Sequence, residues 1–360
     1  MTTTAPDAPS HLTVGFALSP TWLRAGSWRR DDSRAEELFA FSFHRDAARA
    51  AEDAGVAFLF LPDALTLDPA NISRAPGFSG LDSLMLLSAL STATRSATLV
   101  PTVSATFHPP YLIARQLQTL NALSGGRMGW NVVTSLGGQE NFETPAPDRS
   151  ELYARAADVI GLVESLWRSY PREALVIDRE SGVFADAERV APIVDPPLPV
   201  AGPLGVPAPT DARPPLLTAG GSPAAFDLAA RWADGFFAAA ADPDAAATSL
   251  RRTLRDRAVH HGRSADAVRA LPGLSMYIAD TRAEADALAG DDGTGARHWT
   301  VRGTPRDVVD EVLRRRDAGG IDGFIALPGG SWRSLELFCT EVMPALRSES
   351  GMSPLSADLR

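Results

Sequence analysis

Eight short apolar runs, each separated from the next by a stretch of helical spacing, constrain this chain more than any other feature. They read as strands at Val14–Leu18, Ala57–Leu61, Ala97–Ser104, Met128–Ser135, Leu216–Ala219, Gly235–Ala239, Leu274–Ala279 and Gly323–Leu327. Runs of this length between turn residues suit strands buried on both faces. Helices are expected at Phe39–Ala54, Leu81–Thr92, Pro110–Leu123, Glu151–Ser169, Pro223–Ala233, Leu250–His261, Arg282–Ala289, Pro305–Ala318 and Leu335–Leu346. Eight such repeats without a domain break predict an α/β fold, a (β/α)8 TIM barrel, with a doubly wound sheet as the alternative. Nine prolines between Pro192 and Pro215 mark an insertion between strands four and five, with a short hairpin near Gly182–Val183. The expected organisation is a flexible tail at 1–12, one barrel domain at 13–348 and a C-terminal tail at 349–360.

Composition removes several kinds of function. All 34 basic residues are arginine, so Schiff-base lysines and the P-loop lysine are excluded. The net charge of −10 argues against nucleic acid or an anionic membrane as partner. A single cysteine, Cys339, permits no internal disulfide. No run of 18 apolar residues and no signal-peptide pattern occur, and a cytoplasmic enzyme is the expected class. The histidines 11, 44, 108, 260, 261 and 298 show no metal-ligand spacing, so no metal is expected. No G-x-G-x-x-G opens a helix after a strand, which argues against a nicotinamide site.

In a barrel, chemistry gathers at the C-terminal strand ends. Here those ends carry Asp63, Thr102–Ser104, Asn131–Ser135, Gly220–Ser222 and Pro328–Gly330. Asn131 lies inside a buried strand, where an amide without partners is costly. It either ties neighbouring strands together or faces a polar ligand. In Ala219–Phe226, AGGSPAAF, two glycines expose backbone N–H groups, and Ser222 and Pro223 open a helix. That is either a plain N-cap turn or an anion site. Asp63 reads as a turn former or a ligand contact. Thr102 and Ser104 offer hydroxyls, and His108, just past strand three, is the one histidine placed to act as an acid or base.

The motifs GSWRRDDS, FLFLPD, HPPYLIARQLQTLNALSGGRMGWNVVTS, FADAERV, LPVAGPL, LLTAGGSPAAFDLAARWAD and GTPRDVVDEVL run in order from about Gly26 to Leu346. Together they resemble the FMN-dependent monooxygenases related to nitrilotriacetate and dibenzothiophene-sulfone monooxygenase, within the bacterial-luciferase-like superfamily. The resemblance implies the barrel, and the oxygenase component of a two-component system. Reduced FMN would come in trans from an NAD(P)H:flavin reductase, with dioxygen as co-substrate and a small organic molecule as substrate. A homo-oligomer is expected. The resemblance also implies an FMN phosphate site at Gly220, Gly221, Ser222 and Tyr153, and flavin contacts from Asp63, Thr102, Ser104 and Asn131. Asn131 and Thr102 are the expected oxygen-site residues, with His108 beside them. The family's Arg before the tyrosine is Leu152 here, so a phosphate contact is missing or comes from Arg149 or Arg155. Only 22 residues separate Asp280 from Gly303, where family members commonly carry more. The substrate pocket is therefore expected to be open on that side and walled by Trp22, Trp28 and the Pro-rich loop. The alternatives are an F420-dependent oxidoreductase of the same superfamily and a flavin-binding protein without turnover.

Overall fold

The computed structural model describes residues 11–24, 26–135, 137–142, 148–210, 212–238, 245–290 and 298–355. Eight parallel strands close a barrel: β1 (Thr13–Ala17), β2 (Phe58–Leu61), β3 (Thr98–Ser104), β4 (Trp130–Val133), β7 (Leu216–Ala219), β8 (Gly235–Ala238), β9 (Arg269–Ile278) and β11 (Gly323–Pro328). Each pairs with the next in that order, and β11 returns to β1. The remaining strands are the antiparallel hairpin β5 (Leu175–Asp178) and β6 (Val183–Ala185), inside the Pro-rich insertion, and β10 (Trp299–Gly303).

Local sequence accounts for most of the helices. The helix α1 (Phe41–Ala54) buries Phe43, Ala47, Ala48 and Ala51 and stops at Gly55, whose φ of 89° suits glycine. Next come α2 (Pro69–Ile72), α3 (Ser83–Leu90) and α4 (Pro110–Leu123), the last opened by Pro110 in its first turn. The chain continues through α5 (Arg149–Arg168), α6 (Pro223–Trp232), α7 (Ala245–His260), α8 (Arg282–Ala289) and α9 (Pro305–Asp317). The helices α8 and α9 begin with Thr281 and Thr304 in capping boxes. The last expected helix divides into α10 (Trp332–Leu337), a π-helical turn (Phe338–Val342) and α11 (Met343–Ser350).

Strand alternation splits the core in two. Phe58, Phe60, Val100, Leu217, Leu271, Ile325 and Leu327 fill the barrel, while Val14, Phe16, Leu59, Leu99, Val132 and Phe324 face the helices. Residues 350–355, expected in a tail, pack at the barrel's N-terminal end: Met352 bridges Leu12, and Leu355 is 2% exposed within the interior cluster.

The closed barrel bears out the expected fold, with one addition. Leu274–Ala279 was expected as the seventh strand, but β9 starts at Arg269 and runs ten residues. Its first part pairs with β8 through Arg269–Pro272. Beyond that part, Leu274–Ile278 pairs with β10, a strand absent from the sequence reading. The run Trp299–Gly303 carries two polar side chains among five residues, and its pairing partner lies 25 positions away.

Candidate active site

At the ends of β2, β3 and β4 one hydrogen-bond chain fixes the polar groups of the barrel mouth. Thr102 pairs with Asn131 in the parallel register, and both face inward. The Thr102 hydroxyl donates to the Leu61 carbonyl at 2.7 Å, so its oxygen is left to accept. Asn131 Nδ2 donates to it at 2.9 Å. In this relay the amide nitrogen faces Thr102. Asn131 Oδ1 then has no partner, although the residue is only 2% exposed. A buried orphan acceptor typically costs about 1–3 kcal/mol, which a ligand N–H would recover. The relay corrects one expectation. Thr102 has spent its proton on Leu61, so in this arrangement it offers no donor to an oxygen.

Asp63 extends the same cluster. Its carboxylate accepts from the N–H groups of Ala64 at 2.7 Å and Ser83 at 3.2 Å. Burial pushes its carboxyl above the ordinary range despite these two donors. Ser83 also accepts from the Thr102 N–H at 2.7 Å and donates to the Leu61 carbonyl. Ser104 accepts from the Thr106 and Phe107 N–H groups and from the Ser135 hydroxyl, so it shapes the turn as well as lining the site. His108 Nδ1 lies 3.2 Å from the Ser104 carbonyl oxygen. Asp63, Thr102, Ser104 and His108 line one cavity of about 110 Å³, together with Val133 and Ser135. Four residues singled out on three separate segments thus meet at one place.

The second cluster follows β7. Ser222 caps α6, its Oγ accepting from the Ala225 N–H at 3.2 Å, and its hydroxyl lies 3.3 Å from the Tyr153 hydroxyl. Gly220 has a φ of 155°, and a Cβ there would lie 2.6 Å from that of Ala225 and 3.7 Å from the Tyr153 oxygen. Gly221 faces open space. Two hydroxyls and an uncovered glycine backbone therefore converge at the positive end of a ten-residue helix, a suitable cradle for a phosphate. The plain N-cap is present in the geometry, and Gly221 beside it borders open space. The Arg149 side chain lies outside the described residues.

The tryptophans do not share one setting. Trp22 is fully buried between Phe43 and Trp332, with ring centroids at 5.5 and 5.4 Å. It is a core residue in the turn that follows β1. Trp28 is 39% exposed and donates to the Arg74 carbonyl at 2.7 Å. The segment 291–297, which falls on the side expected to be open, lies outside the described residues.

His298 was passed over in the sequence, since no motif surrounds it. In the fold it stands immediately before β10. Its ring lies 5.6 Å from that of Phe237, which in turn lies 5.6 Å from Phe60 across the barrel. Among the described residues no group of three or more His, Cys, Asp or Glu could hold a metal ion, and no helix is long and apolar enough to cross a membrane.

The geometry now has its context. The family model described as luciferase-like monooxygenase matches residues 21–341. The chain belongs to the luciferase-like monooxygenase family. The resemblance carried by its motifs is thereby borne out, and with it the reading as a flavin-dependent monooxygenase. Dibenzothiophene-sulfone monooxygenase of Rhodococcus erythropolis (strain XP) is 29% identical over 94% of this chain and 92% of its own. Nitrilotriacetate monooxygenase component A of Aminobacter aminovorans is 30% identical over 78% of this chain and 65% of its own. The crystal structure of a long-chain alkane monooxygenase superposes with a TM-score of 0.86 at 23% identity, over 97% of this chain and 93% of that one.

Proposed function

We propose that this luciferase-like monooxygenase is the oxygenase half of a two-component system that takes reduced FMN from a separate NAD(P)H:flavin reductase. The observation that carries the site assignment is the Leu61–Thr102–Asn131 relay. It locks a buried amide with its acceptor free at the mouth of the barrel. A reduced flavin ring carries N–H groups that such an acceptor suits. When bound, reduced FMN supplies the electrons for the reaction of dioxygen with substrate.

The chain's own residues do the rest. Asn131 orients the ring through Oδ1 and keeps one N–H for a developing negative charge. Asp63 and Ser104 line the same edge. The Ser222 and Tyr153 hydroxyls, with the Gly220 and Gly221 N–H groups, hold the phosphate. The apolar barrel floor beneath, Phe60 with Phe237, keeps water from the reacting atoms.

Titration with FMN and with F420, followed by oxygen uptake with a flavin reductase and NADH, tests this reading. FMN binding with reductase-dependent oxygen uptake is expected. Preference for F420 would move the chain to hydride transfer. FMN binding without any oxygen consumption would leave a flavin-binding protein.

A further inference from the structure

The cavity of about 110 Å³ at the end of β3 is lined by exposed residues as well as by the buried polar groups of the site. Asp82 and Met85 on its wall are exposed, the methionine by 57%. Thr102 and Ser104, also on its wall, are 7% and 2% exposed. At about 30 Å³ each, about three waters fill such a volume, and it is too small for a flavin. Two groups on this cavity are able to exchange a proton. The first is His108. Its Nδ1 lies 3.2 Å from the Ser104 carbonyl oxygen, which only accepts, so Nδ1 carries the hydrogen. Neutral His108 therefore keeps Nε2 as an acceptor, and among the described residues the bond to Ser104 is the ring's one hydrogen bond. The second is Asp63. Its carboxylate accepts the Ala64 N–H on one oxygen and the Ser83 N–H on the other, which leaves lone pairs on both. Burial favours its neutral form, and charge on His108 acts on it in the opposite direction, so the two groups sense each other. Asp82, the other acid on the cavity, opposes ionisation of Asp63 and caps α3 through the Met85 N–H at 2.8 Å.

We propose that this cavity is the proton path of the oxygenase: His108 takes a proton from solvent on Nε2, and Asp63 presents it at the barrel mouth. The inference rests on the oxygenase reading above. Reduced FMN arriving as its monoanion, dioxygen, substrate and one proton give oxidised FMN, oxygenated substrate and water. The flavin supplies two electrons, the O–O bond breaks, one oxygen joins the substrate and the other leaves as water. Without substrate, the same anion, dioxygen and one proton give oxidised FMN and hydrogen peroxide. One proton is consumed either way. A mouth kept dry for this chemistry draws no proton from bulk water. A narrow passage bearing an imidazole and a carboxyl delivers one without admitting bulk solvent.

The first measurement uses the protein without flavin. Carbon-13 spectra of the aspartate carboxyls are followed against pH in the parent and in His108→Gln, with Asp63→Asn to assign Asp63. Loss of the imidazole removes a cation that lowers the Asp63 carboxyl, so that carboxyl should move further above the ordinary range. The second measurement mixes protein loaded with reduced FMN with oxygen in a stopped-flow cell and reads oxidised flavin. His108→Gln is able to donate to the Ser104 carbonyl but relays no proton, and should slow reoxidation about 10²-fold. Its FMN affinity should stay within about twofold of the parent. His108→Ala should be slow as well and regain rate with imidazole at constant ionic strength, while the parent gains nothing. A histidine that only shaped the turn after β3 would yield to Gln without loss, and imidazole would restore nothing. An unmoved Asp63 carboxyl, parent-like reoxidation in the Gln variant, or no rescue of the Ala variant each overturns the inference. Failure of the parent to bind FMN would overturn the oxygenase reading instead, and the Asp63 measurement still decides whether the two groups are joined.

Discussion

Asn131→Ala separates a strand-tying amide from a site amide, because the structure fixes what each role would cost. The substitution removes one neutral hydrogen bond, Nδ2 to Thr102, worth about 0.5–1.5 kcal/mol net. It also removes Oδ1, whose burial without a partner costs about 1–3 kcal/mol. Thr102 keeps its bond to Leu61, so no new buried donor is orphaned. The ladder pairing of β3 with β4 and of β4 with β7 uses backbone atoms and is untouched. The terms oppose each other, and together they run from about 0.5 kcal/mol of destabilisation to about 2.5 kcal/mol of stabilisation, so no large loss of stability is expected. Chemistry should respond differently. Loss of a preorganised donor in a dry pocket slows the reaction step by about 10²–10³-fold. The assay is a thermal melt and an FMN titration, followed by product formed per oxygen consumed with reductase present. The variant should melt near or above the parent, still bind FMN and consume oxygen with little product. A melting temperature that collapses would show that Asn131 holds the barrel together. Full coupling of oxygen to product would show that it takes no part in the reaction, and either result refutes the reasoning.

Three further outcomes follow from the same geometry. Ser222→Ala should weaken FMN by about 10-fold or more while riboflavin binding hardly changes, since only FMN carries the phosphate; equal losses for both would reduce Ser222 to its capping bond with Ala225. The purified chain with NADH and FMN should not oxidise NADH, and an added flavin reductase should start turnover; rapid oxidation without it would end the two-component reading. Glu52 accepts from the N–H groups of Arg95, Ser96 and Ala97. Burial alone would raise its carboxyl, but these donors and Arg127 outweigh it and hold it below the ordinary range. With the folded value lowered, its stabilisation is complete above the unfolded value near ~4.3 and is lost as pH falls through the folded one. Glu52→Gln should therefore cost about 1.5–3 kcal/mol at pH 7 in urea unfolding, with the gap narrowing as pH falls below about 4; a gap independent of pH would refute this.

Much of the chain was legible because its signals are local. Pro110 and Leu123 bound α4 as expected, Leu216–Ala219 is a strand over the expected residues, and Arg282–Ala289 is a helix between a capping threonine and a glycine. In these stretches the residues that set the ends lie within a few positions of the ends, so propensity, capping and apolar spacing suffice. The eightfold repeat of such segments was enough for the barrel. The barrel in turn placed Asp63, Thr102, Ser104 and Asn131 at one end, because parallel strands put their C-termini together.

Tertiary structure alone decided what depended on partners far along the chain. Trp22, in a polar loop by sequence, packs its ring against Phe43 and Trp332. Trp299–Gly303 forms its strand by pairing with Leu274–Ile278, beyond the part of β9 that pairs with β8. His298 gained its position from that strand and from the missing side chain at Gly273, two facts that no nearby residue signals. The direction of the Asn131 amide was likewise hidden. It follows from where Thr102 sends its proton, and that is set by the Leu61 carbonyl on the neighbouring strand. Apolar spacing fixes which face of a strand is buried, but a side chain's hydrogen bonds are chosen among groups that only folding brings within reach.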